Sequence, residues 1–73
     1  MGRLRIFSGK ELLKLLGDQG FREVRRRGSH VVMQKPIQGS TITVVVPDHK
    51  QVRLGTLASI IRQSQLHRQL FEE

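Results

Sequence analysis

"GSHVVMQKPIQGSTITVVVP", residues 28–47, decides the fold. Two turn signals, Gly28-Ser29 and Gln38-Gly39-Ser40, separate apolar runs, and glycine beside a short polar residue supplies the backbone conformations of a tight hairpin turn. Val31, Val32 and Met33 begin a strand that ends near Pro36. Thr41 to Val46 is the strand richest in β-branched residues, and it is expected at the centre of the sheet. Pro47 closes it, because proline has no N–H to offer a ladder. On the other side of Gly28-Ser29, Phe21 to Arg27 reads as a further strand with only Phe21 and Val24 apolar. Such weak alternation suits an edge, where arginines also discourage unwanted pairing.

Helices flank this sheet. Ser8-Gly9-Lys10-Glu11 matches a capping box, in which Ser8 and Glu11 satisfy each other's free backbone donors, and the leucines at 12, 13, 15 and 16 follow as one apolar stripe. The helix is expected from about Gly9 to Gln19, with Gly20 ending it and Phe21 folding back. After the loop "DHKQVR", residues 48–53, the spacing of Leu57, Ile60, Ile61 and Ser64 marks a second amphipathic helix. Leu66 and Leu70 suggest that it continues or is followed by a short helical tail, frayed at its end because Glu72 and Glu73 oppose the helix dipole. Neighbouring strands in sequence pair as hairpins, and one face must be covered by both helices. The result is a two-layer α+β domain of order α-β-β-β-α with a three-stranded antiparallel sheet.

The 73 residues make one small unit, with no linker or repeat. A chain this short encloses no large cavity, so any chemistry sits on an open face. There is no cysteine, which removes disulfides and thiolate metal sites. No apolar run is long enough to span a bilayer, and "MGRLRIF" at residues 1–7 has no signal-peptide core, so a soluble, cytoplasmic protein without membrane partners is expected. Thirteen Lys and Arg against six Asp and Glu leave a net charge of +7. Residues 1–36 carry nine of the basic groups and only three acidic ones, an asymmetry that favours a polyanionic partner. Solvated basic surface is the plainer reading of Arg25, Arg26 and Arg27. Three histidines, at 30, 49 and 67, form no short ligand pair, so neither a metal site nor a cofactor is expected.

The chain resembles the HicA (YcfA-like) toxins, small bacterial ribonucleases of toxin-antitoxin pairs with a double-stranded-RNA-binding-domain-like fold. The likeness runs from about Ser8 to Leu66 and rests on "KELLKLL" at 10–16, Gly20-Phe21, Val24-Arg25, Gly28-Ser29-His30, "VPDHK" at 46–50 and "GTLASIIRQ" at 55–63, in this order. It implies one HicA-like domain over 1–73, with its core at about 8–66 and a helical extension or tail over 66–73. Val31 and Val32 stand where many members carry a further histidine or aromatic, so no second proton carrier is adjacent to His30. Gln51 replaces a frequent glutamate, and Gln65 stands where a glycine usually ends the second helix.

By this resemblance the chain is a metal-independent endoribonuclease acting on mRNA, restrained by a HicB-like antitoxin. His30 is then the general base that takes the ribose 2′-hydroxyl proton. Arg25, Arg26, Arg27, Ser29 and Lys35 would hold RNA and the charge developing on phosphorus. His49 is a secondary candidate, since a histidine beside Asp48 also serves simply to fix a turn. His67 has no counterpart and reads as solvent exposed. The competing reading is a non-catalytic RNA-binding module of the same fold, and a third is a subunit whose basic face meets an acidic protein. Substitution of His30 separates binding from cleavage.

Overall fold

The computed structural model describes residues 2–73. Its elements are helix α1 (Gly9–Asp18), strands β1 (Arg22–Arg27), β2 (His30–Ile37) and β3 (Ser40–Pro47), helix α2 (Leu54–Ser64) and a short 3-10 turn at Arg68–Phe71. The capping box forms as the sequence requires: the Ser8 N–H donates to Glu11 Oε1 at 2.8 Å and the Glu11 N–H donates to Ser8 Oγ at 3.1 Å. Helix α1 stops at Asp18, and the Phe21 N–H turns back to the Leu16 carbonyl at 3.0 Å.

The sheet is antiparallel in the order β1-β2-β3, so β2 lies at its centre. This corrects the expectation for Thr41–Val46: β3 is the most β-branched strand yet pairs only with β2. Two-residue turns force each strand beside its sequence neighbour, which leaves the last strand at an edge. At the first turn Gly28 adopts φ 59°, where a side chain would be strained, and Arg27 and His30 close the hairpin.

Both helices cover one sheet face. Leu12 and Leu16 of α1 and Leu57 and Ile60 of α2 share a core with Val31, Met33, Ile42, Val44 and Val46. The opposite sheet face is uncovered, and the whole arrangement is consistent with a double-stranded-RNA-binding-domain-like fold. No described helix is long and apolar enough to cross a membrane.

At the C-terminal end the second of the two expected forms is found, a short helical tail at Arg68–Phe71, but it is not frayed. Helix α2 does not run on toward Leu70: Gln65 takes the left-handed conformation at φ 60°, and buried Ser64 donates to the Ile61 carbonyl at 2.8 Å while accepting the Leu66 N–H at 3.2 Å. The chain then turns back rather than fraying. Glu72 bridges Leu4, the Arg5 N–H reaches the Phe71 carbonyl at 2.9 Å, and Phe71 packs edge-to-face on Phe7 with ring centroids 5.9 Å apart. Tertiary contact with the N-terminal segment therefore overrides the unfavourable dipole placement of the terminal glutamates, and the apolar core takes in Phe7 and Phe71 beyond residues 8–66.

Candidate functional site

His30 opens β2, immediately after the Gly28-Ser29 turn, and its side chain is exposed. Val31 and Met33 point into the core, so strict alternation puts His30, Val32 and Gln34 on the uncovered face. The cross-strand partners of His30 are Arg27 on β1 and Pro47 on β3.

The three arginines do not act as a block. A β-bulge between Glu23 and Arg25 resets the alternation of β1, so that Arg22, Arg25 and Arg27 pair with Gln34, Val32 and His30 and share the uncovered face with them. Arg26 pairs with buried Val31 and points the other way, where its Nη1 donates to Asp48 Oδ2 at 3.0 Å and its Nε lies 3.7 Å from Glu23. Lys35 is likewise not beside His30. It lies five positions along β2 on the helix-covered side, opposite Ile42, with its ammonium 5.9 Å from the centre of the Phe21 ring. The expected positive surface of Arg25, Arg26, Arg27 and Lys35 is corrected to Arg22, Arg25 and Arg27. The cause is pleat parity, which separates residues that are neighbours in sequence.

On its other side His30 borders an open groove of about 510 Å³, lined by His30, Val45, Pro47, His49, Gln51, Val52, Arg53 and Thr56. His49 thus enters the same groove from the loop after β3. Its Nε2 lies 3.1 Å from Ser29 Oγ, and the Asp48 N–H donates to the Ser29 carbonyl at 2.6 Å, so the residue before His30 anchors the loop that carries the second histidine. Ser29 is accordingly engaged with His49 in the structure. Asp48 does not pair with His49; Arg26 and Lys10 occupy it instead.

Helix α1 holds this loop from behind. The Gly9 N–H donates to the His49 carbonyl at 2.8 Å, and a Cβ on Gly9 would collide with the Pro47 carbonyl oxygen and Asp48 Cα. A glycine directly after a capping serine was the available signal for so close an approach. Arg53 and Gln51 had no local signature, because the loop "DHKQVR" shows no periodicity that would aim its side chains, and Thr56 stands in the first turn of α2 outside its apolar stripe. His67 is exposed and lines none of the groove.

The family model described as HicA toxin of bacterial toxin-antitoxin matches residues 9–66. The chain belongs to the HicA toxin family. The match covers α1, the sheet and α2, and ends where the terminal clasp of this HicA-family chain begins. No match was found among curated proteins or among solved structures.

Proposed function

We propose that the chain is the RNA-cleaving toxin of a toxin-antitoxin pair, acting on mRNA in the cytoplasm with His30 as general base and no metal requirement. The observation that carries this reading is the convergence of two histidines on one open groove beside an arginine-bearing sheet face. His30 removes the proton of a ribose 2′-hydroxyl, the 2′ oxygen bonds to phosphorus, and the bond from phosphorus to the 5′ oxygen breaks. His49, steadied by Ser29, returns a proton to that departing oxygen, leaving a 2′,3′-cyclic phosphate and a free 5′-hydroxyl. Arg25 and Arg27 hold the flanking phosphates, and Arg53, which also lines the groove, meets charge growing on the pentacovalent phosphorus. A HicB-like antitoxin restrains the activity by covering this face.

Purified chain incubated with single-stranded RNA and EDTA is expected to release 2′,3′-cyclic ends while leaving DNA intact. His30→Ala should lower the rate by about a hundredfold or more with RNA affinity and circular dichroism unchanged. His49→Asn should slow turnover with RNA affinity unchanged. Equal cleavage by His30→Ala protein would remove His30 as the base, and RNA binding with no cleavage by the unmodified chain would favour the non-catalytic binding module.

A further inference from the structure

The two edges of the sheet are built differently. Five of the six residues of β1, "REVRRR", are charged and the strand carries a bulge, both features that repel a neighbouring strand. Strand β3, "STITVVVP", has no charge at all and pairs continuously with β2 from Ser40 to Pro47 without a bulge. Its outer edge is therefore straight, β-branched and unguarded.

Register identifies which backbone groups that edge offers. The two-residue turn closes on the pair Ile37–Ser40, and antiparallel pairs alternate between exchanging hydrogen bonds and exchanging none. Ser40, Ile42, Val44 and Val46 thus bond to β2, while the N–H and C=O groups of Thr41, Thr43 and Val45 point outward. The prolines agree with this assignment, since Pro36 and Pro47 both fall on pairs that exchange no bonds. None of the described backbone hydrogen bonds outside the ladders engages Thr41, Thr43 or Val45.

We propose that the edge of β3 is the docking site for an extended strand of the antitoxin, which adds a fourth strand to the sheet. This rests on the reading of the chain as a toxin with an antitoxin partner. Outward N–H and C=O groups at alternate residues are complementary to another extended peptide backbone, and to no other ligand class as well. Charge selects the partner: the edge leads at Val45 and Pro47 into the groove lined by His30, His49 and Arg53, which no carboxylate lines, on a chain of net charge +7. A strand that continues past Val45 with acidic side chains fills that groove. It thereby occupies the place of an RNA phosphate, so one contact both binds the antitoxin and shuts the site.

The test uses the full chain and the co-encoded protein that restores growth when the chain is expressed. Amide exchange is measured on the chain alone and in the complex. The amides of Thr41, Thr43 and Val45 should exchange quickly in the free chain and slow by about a hundredfold or more in the complex, as new hydrogen bonds close over them, whereas Ile42, Val44 and Val46 stay slow in both. Thr43→Pro removes an outward donor without touching the ladder to β2 and lies outside the groove. It should weaken antitoxin binding by about tenfold or more and leave RNA cleavage unchanged. Fast exchange at these three amides in the complex would overturn the proposal, as would their protection in an isolated chain that has dimerised through β3. Protection of the edge together with an inability to cleave RNA would keep this inference and remove the ribonuclease reading.

Discussion

Gly9 matters through the side chain it lacks. Its backbone lies against Pro47 and Asp48, and its N–H holds the His49 carbonyl, so the position of His49 in the groove depends on helix α1 approaching at glycine distance. Gly9→Ala should cost about 1–3 kcal/mol through overpacking against backbone that has nowhere to move. It should also displace the loop, seen as loss of the His49–Ser29 contact in the imidazole NMR signals and as slowed RNA cleavage. Gly17, in the same helix, has open space around it. Gly17→Ala should stabilise the chain by about 1 kcal/mol in urea unfolding and leave the His49 signals unchanged. A matching effect of both substitutions on His49 would show that helix stability, not close approach, positions the loop.

At the scale of elements, β1 and α1 each carry a prediction. The bulge in β1 turns Arg25 toward the uncovered face, while Lys35 stands over Phe21 on the covered side. Arg25→Ala should reduce the slope of log affinity against log salt for single-stranded RNA by about 0.7 for each phosphate contact removed. Lys35→Ala should leave that slope unchanged, and a slope lowered equally by both would contradict the assignment of faces. In α1, the Ser8 backbone N–H holds the Glu11 carboxylate, with the Ser8 hydroxyl a second favourable contact, so its pKa lies below the ordinary 4.5. A depressed carboxylate stabilises the fold fully above the unfolded-state value, and that contribution fades as pH falls through the lower folded-state value. Urea midpoints measured from pH about 5 down to about 3 should therefore fall more steeply for the unmodified chain than for Glu11→Gln protein. Parallel curves would mean that the capping box contributes nothing to acid sensitivity.

Across the whole molecule, the two chain ends are joined by a bridge between Leu4 and Glu72 and by side-chain packing that no periodicity in either segment announces. Phe7 and Phe71 are both buried and in edge-to-face contact, Arg5 lies 4.8 Å above the Phe7 ring, and Arg68 reaches the Gly2 carbonyl at 3.2 Å and pairs with Glu72. A domain of this size has a stability of about 5–15 kcal/mol. Phe71→Ala removes a fully buried ring and should cost about 3–5 kcal/mol, read as a lowered midpoint in urea unfolding. A cost under about 1 kcal/mol would identify the terminal clasp as a loose attachment.

The strands, both helices and their order were legible in the sequence because each rests on local physics: β-branched runs bounded by Gly-Ser and Gln-Gly, and leucines at helical spacing behind a capping serine. The exposed place of His30 was legible for the same reason, since it follows a tight turn at the start of a strand, whereas its role as a base came from the family resemblance and stands as a proposal. That β3 is an edge followed from the hairpin connectivity the turn signals already gave, against the central place its composition suggested. Tertiary structure decided the rest. Which arginines accompany His30 depended on one bulged residue, Val24, whose weak alternation pointed to an edge strand but not to the parity that followed. The meeting of His49 with Ser29 joined residues twenty positions apart in sequence, and the clasp of Phe71 on Phe7 joined the two ends. Such contacts depend on how separate elements pack, and no periodicity within one segment encodes where another segment will arrive.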